Sequence, residues 1–241
     1  MIQLFSEILK FRAHTHADRI ALISNEVSYT YAQIYEHALR AAAWLKQNEL
    51  KKGDHIALLD INNAEYVHIV NGCLISGIIP VSINWRLTPD EMRFIIKDAA
   101  CKMFIYGATF QQTVTNVVFD FTGKVFEIKN LFGEINNALP INTSSLPQLN
   151  LDDQALLIYT SGTTGNPKGV MLTHGNFIKA FDSHFEFFKF KNFEEELSLA
   201  FLPLSHVFER SWSLLCLYGG ARVYFLEDPK NVAKALEEVK P

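Results

Sequence analysis

The chain has 241 residues, 49% hydrophobic and 20% charged, with a formal net charge of −4. Its 19 Phe, 8 Tyr and 3 Trp can bury a large core, which excludes wholesale disorder. With 26 Asp+Glu against 22 Lys+Arg, the mild acidity argues against a nucleic-acid binder, which would carry a basic face.

In chain order, residues 1–19 predict a helix followed by a solvated loop holding His14 and His16. The run IALISNEVSYTY reads as two β-rich segments around the turn Ser24-Asn25-Glu26, hence a hairpin. Thr30 caps a helix whose apolar positions Ile34, Ala38, Ala41, Ala42 and Leu45 keep helical spacing as far as Asn48. After Gly53-Asp54, HIALLD lacks alternation and reads as a strand buried on both faces. A helix from about Ala64 to Ser76 leads through Gly77 into the strand IIPVSIN. His68, Asn71, Gly72, Gly77 and Pro80 interrupt this most apolar stretch, so it is a buried helix and strand and not a membrane span. Thr88-Pro89-Asp90-Glu91 is a helix start, with Thr as cap, Pro at the first helical position and Glu three residues after Thr. MRFIIKDAA continues that helix, and CKMFIYG is the next strand. Strand–helix–strand alternation of this kind indicates an α/β fold with mainly parallel sheets and flanking helices.

Residues 109–129 show a weaker pattern, and 139–153 reads as a polar surface linker and a candidate subdomain break. Further on, Phe177, Phe181, Phe185 and Phe188 follow the cap candidate Asn176 at helical spacing. Packing of a helix is the preferred reading of that stripe, the wall of a tunnel for a long apolar ligand the other. Cys73, Cys101 and Cys216 are odd in number and widely spaced, which predicts reduced, buried thiols. The N-terminus lacks the basic-then-apolar layout of a secretory leader. A soluble, cytoplasmic protein is expected, with peripheral contact at the inner face of a membrane left open.

The most informative stretch is LLIYTSGTTGNPKGVMLTH, residues 156–174. Two β-favouring runs flank SGTTGNPKG, which packs glycines, the hydroxyls of Ser161, Thr163 and Thr164, and Lys168 into one short loop. Glycines let backbone N–H groups turn inward, and successive inward N–H groups make a nest for an anion. Hydroxyl donors and a compact ammonium suit phosphate oxygens. The spacing is not that of a Walker A loop, which needs Ser or Thr directly after its lysine. A β-favouring run follows, so no helix dipole anchors the anion.

YTSGTTGNPKGVMLTH resembles the phosphate-loop signature of the adenylate-forming superfamily, which includes acyl-CoA synthetases, luciferases and peptide-synthetase adenylation domains. Tyr29-Thr30-Tyr31-Ala32-Gln33 and GIIPVSINWRLTPDEMRFII are similar to further blocks of that family. FLPLSHVFER, residues 201–210, resembles the form found in long-chain fatty acyl-CoA synthetases. The resemblance implies that a fatty acid is joined to the α-phosphate of ATP with loss of pyrophosphate, and then passed to the thiol of CoA. It implies Mg²⁺ as well. Thr160, Ser161, Gly162, Thr163, Thr164, Gly165 and Lys168 match the loop that holds the leaving pyrophosphate, and Lys168 would offset charge building there. Thr163 or Thr164 would touch Mg²⁺. His206 would lie near the acyl and adenylate pocket, with Phe208, Glu209 and Arg210 beside it; an ion pair or solvated face is the other reading of Glu209 and Arg210.

Family members continue for some 300 residues with a second metal-supporting block, a ribose-gripping aspartate and a small C-terminal domain. None of these occurs here, so residues 1–241 are expected to be the N-terminal part of an adenylation domain and inactive alone. Two alternatives stand beside this reading: an adenylating enzyme with a different acceptor, and a non-catalytic nucleotide-binding module. Acyl chain length and oligomeric state are not legible.

Overall fold

The computed structural model describes residues 4, 7–160 and 167–241. Helix α1 (Ile8–Thr15) buries Ile8 and Leu9. His14 lies in its last turn, with Nδ1 2.6 Å from the Lys10 carbonyl, and His16 is its C-cap; neither belongs to a free loop.

Strands β1 (Ile20–Ser24) and β2 (Val27–Thr30) form the expected antiparallel hairpin. Asn25 and Glu26 both take left-handed backbone, φ 49° and 64°, as a two-residue turn of this hand requires. Thr30 caps α2 (Tyr31–Gln47) in a capping box with Gln33. The buried face of α2 carries Ile34, Ala38, Ala41, Ala42 and Leu45, as the spacing predicts. Strand β3 (His55–Leu59) is buried from Ile56 onward. Helix α3 (Ala64–Ser76) packs closely on α2, and a Cβ added at Gly72 would stand 2.5 Å from that of Ala41. Gly77 ends α3 at φ 66°, a conformation that suits glycine.

Strand β4 (Ile79–Ser82) contains Pro80 although it is not an edge strand. Ile79 and Ile83 donate to Asp54 and Leu58 on the β3 side, so Pro80 faces the other neighbour, where pairing is confined to Val81 and Leu157. The missing N–H therefore costs the sheet little. Thr88 caps α4 (Pro89–Asp98) in a capping box with Glu91, and β5 (Met103–Tyr106) follows. The weakly patterned region folds into α5 (Gln111–Val117) and β6 (Lys124–Glu127), and α6 (Ile128–Asn137) comes next.

Strands β7 (Gln154–Thr160) and β8 (Lys168–Thr173) precede α7 (His174–Phe188). The cap of α7 is Thr173, not Asn176. Asn176 occupies the third helical position, and its side chain accepts from the Thr173 N–H at 2.9 Å. Phe177 and Phe181 enter the core and Phe185 packs against Phe190 and Phe193, whereas Phe188 is exposed. The chain closes with β9 (Leu197–Ala200), α8 (Val207–Gly219), β10 (Arg222–Phe225) and α9 (Val232–Val239).

Among the described residues the strands form two sheets, ordered β6-β5-β3-β4-β7-β8 and β2-β1-β10-β9. All pairings are parallel except β1–β2 and β7–β8. Both sheets take strands from either side of segment 139–153, so that surface segment lies within the larger sheet's connectivity and does not divide the two sheets. The three cysteines are free and buried. No helix among the described residues is long and apolar enough to cross a membrane.

Candidate nucleotide and acid site

In open α/β sheets, ligands gather beyond the carboxyl ends of the parallel strands. Here that edge is built by β3, β4, β5 and β7. Strand β7 runs parallel to β4 with Val81 opposite Leu157, so Asn84 and Thr160, each three residues further on, reach the same edge. The antiparallel return strand β8 places Lys168 opposite Thr160 at the mouth of the hairpin. Ser161, Gly162, Thr163, Thr164 and Gly165 lie outside the described residues. Thr160 and Lys168 are both exposed, and among the described residues no carboxylate pairs with the Lys168 ammonium. Tyr159, one residue before the mouth, donates its hydroxyl to Asp98 Oδ2 at 2.6 Å and so ties the hairpin to the end of α4. Burial, and then the Asp98 carboxylate, push the Tyr159 phenol upward and keep it protonated.

The smaller sheet reaches the same edge through the segment after β9. His206, exposed at the N-cap of α8, has Nε2 3.5 Å from Asn84 Nδ2. An amide donor at this place suits the unprotonated ring nitrogen. Phe208 is 66% exposed and stacks on Trp212, with centroids 6.5 Å apart and planes within 4°. Trp212 is only partly buried, and its indole N–H donates to Ser198 Oγ at 2.9 Å. Glu209 and Arg210 are not on a solvated face; both are buried. Glu209 accepts from the Leu202 N–H at 3.0 Å, and burial raises its carboxyl against the lowering effect of that bond. Arg210 donates to Tyr66 Oη and Ser82 Oγ, each at 3.0 Å, and its guanidinium stands 5.0 Å from the Tyr66 ring centroid.

Asp60, at the end of β3, completes the edge. Burial raises its carboxyl to about 6, while the Asn63 amide and the Ile61 N–H, both donating at 2.8 Å, oppose the rise. Sequence reading passed over Asn84, Asp60 and the Tyr159–Asp98 pair. Each stands at a strand or helix end, and only the strand order makes those ends neighbours.

The described donors suit a phosphate chain better than a bare cation. No group of three or more His, Cys, Asp or Glu that could hold a metal occurs among them. A Mg²⁺ ion that keeps most of its oxygen ligands from water and nucleotide phosphates is compatible with such a site.

The sequence matches the AMP-binding enzyme family over residues 9–241. It is 30% identical over 196 residues to the 2-succinylbenzoate–CoA ligase of Bacillus subtilis, covering 81% of this chain and 38% of that protein. It is 29% identical over 264 residues to the long-chain-fatty-acid–CoA ligase of Haemophilus influenzae, covering 93% of this chain and 47% of that protein. Among solved structures, the inhibitor-bound N-terminal domain of FACL13 from Mycobacterium tuberculosis matches with a TM-score of 0.86 at 26% identity, over 99% of this chain and 61% of that one. The O-succinylbenzoate coenzyme A synthetase of Bacillus subtilis, in complex with ATP and a magnesium ion, matches with a TM-score of 0.82 at 25% identity, over 96% of this chain and 60% of that one. The chain spans less than half the length of the curated relatives it matches. A family match that begins at residue 9 and runs to the last residue, on a fold shared with these synthetases, places the chain in the AMP-binding enzyme family.

Proposed function

We propose that this chain forms the N-terminal part of an ATP-dependent acid–CoA ligase whose acid is a long-chain fatty acid. The observation that carries the reading is the meeting of three features at one sheet edge: Thr160 and Lys168 at the hairpin mouth, Asn84 beyond β4, and His206 from the other sheet. The carboxylate of the acid would attack the α-phosphate of ATP, forming acyl-AMP as the bond to pyrophosphate breaks. Lys168 would lie against the leaving phosphates and offset their growing charge. Thr160, with Ser161, Gly162, Thr163, Thr164 and Gly165, would complete the phosphate cradle, and Thr163 or Thr164 would meet Mg²⁺. His206 would border the acid, with Phe208 beside it on the exposed side. Buried as they are, Glu209 and Arg210 would support that wall from behind.

The block FLPLSHVFER and the Haemophilus relative favour a long-chain acid. A pyrophosphate-release screen on the whole ligase tests the choice, with palmitate, shorter fatty acids and aromatic acids as substrates and CoA or a carrier protein as acceptor. Preference for palmitate and CoA is expected. Preference for an aromatic acid would overturn the substrate class, and transfer only to a carrier would overturn the acceptor.

A further inference from the structure

Segment 201–206 brings His206 to the sheet edge, and three side chains saturate the backbone of its middle. Leu202 donates its N–H to Glu209 Oε2 at 3.0 Å, and its carbonyl accepts from Asn62 Nδ2 at 2.7 Å. Leu204 donates its N–H to Asn62 Oδ1 at 3.0 Å, and its carbonyl accepts from Arg210 Nε at 3.1 Å. Both ends of one carboxamide are therefore committed to alternate residues of the same segment. Asn62 is 4% exposed, Glu209 3% and Arg210 2%, so water does not compete for these bonds.

The geometry crosses the seam of the fold. Asn62 follows β3 of the larger sheet, whereas segment 201–206 follows β9 of the smaller one. Arg210 continues the path to Ser82, the last residue of β4, two residues before Asn84. The register of His206 against Asn84 is thus set by side chains from both sheets.

We propose that Asn62 is a positioning residue for the acid half of the site: with Glu209 and Arg210 it holds the 202–204 backbone, and through it His206, in register with the nucleotide half. Only asparagine among residues of its length offers a donor and an acceptor at once. Aspartate loses the donor to the Leu202 carbonyl, and alanine loses both bonds. The phosphate hairpin belongs to the larger sheet and takes none of these bonds, so loss of the bracket displaces the acid side and leaves nucleotide binding in place. This inference rests on the reading of the chain as part of an acid–CoA ligase.

The test measures acid-dependent pyrophosphate exchange in the whole ligase, with palmitate varied at saturating ATP and ATP varied at saturating palmitate. N62A is expected to raise the palmitate KM about tenfold or more, a cost typical of a small misplacement, with the ATP KM changed by less than about twofold. N62D is isosteric with the wild type and regains an O–H donor when protonated. Its palmitate KM is expected to rise at least about threefold over wild type, because the amide donor to the Leu202 carbonyl is gone. If N62A does not fold, N62D alone decides. An unchanged palmitate KM in both variants, or an equal rise in both KM values, overturns the inference while leaving the ligase reading intact. A wild-type enzyme that exchanges pyrophosphate with no carboxylic acid overturns both.

Discussion

Lys168 stands at the mouth of a hairpin with its ammonium unpaired among the described residues. In the whole ligase, Lys168→Ala is expected to slow acyl-adenylate formation by about tenfold or more, the scale of losing one preorganised charge. Unchanged pyrophosphate exchange in that variant would reject the role. Tyr159 and Asp98 belong to the same scale. A carboxylate at the last residue of α4 opposes the helix dipole by roughly 0.3–1 kcal/mol, so its short bond to Tyr159 is what favours it there. Buried histidines contribute to the acid response. His68 is fully buried, its ring centroid 4.5 Å from that of His37, and among the described residues neither of its nitrogens has a hydrogen-bond partner. Burial, and then His37, hold His68 well below its ordinary value, and burial brings His174 down to about 4. A histidine depressed in the folded state favours folding above its unfolded value near 6.5, and that contribution is lost as pH falls. Asp60, raised to about 6, acts in the opposite sense: its contribution is present at low pH and lost as pH rises through 6. The melting temperature is expected to drop between pH 6.5 and about 4, and His68→Leu to make that acid limb shallower. An equally steep limb in the variant would assign the acid loss to other groups.

At the scale of elements, the helix starts were the most legible features. Thr88 announces a capping box because its partner Glu91 lies three residues away, inside one turn of chain; Thr30 reads as a cap, and the structure adds Gln33 as its box partner. Removing the cap in Thr88→Ala is expected to cost about 1 kcal/mol, read as a lower denaturant midpoint at unchanged slope. No shift would mean that the box is redundant with the packing of Met92, Ile95 and Ile96 beneath it. The start of α7 shows the limit of local reading. Asn176 and Thr173 both make good caps, and the choice depends on which residue leaves the helical backbone, here Thr173 at ψ 164°. Strand β6 escaped notice because KVFE is a four-residue edge strand, its first two residues exposed and its last two half-buried, and so shows no alternation.

At the scale of the molecule, both sheets are assembled from strands far apart in sequence: β1 pairs with β10, and β4 with β7. Such pairing makes one edge out of strand ends that are remote along the chain. It also couples the two halves of the candidate site through a few buried side chains. The chain covers 38% of one curated relative and 47% of another, so the 241 residues alone are expected to form no acyl-CoA from ATP, Mg²⁺, palmitate and CoA. Measurable thioester formation would show that the described edge suffices for both half-reactions.

The sequence by itself determined whatever depends on a few adjacent residues. The unalternating strands and the capped helices are of this kind, and so is the anion-seeking chemistry of a loop dense in glycine, hydroxyls and lysine. Propensity, capping and nest formation act over one turn or one loop, so they are written locally. Only the tertiary structure decided that Asn84 meets His206, that Tyr159 is tied to Asp98, and that Glu209 and Arg210 turn inward to bind backbone. Those outcomes follow from strand order and from the requirement that buried polar groups find partners, which no stretch of the chain can satisfy alone.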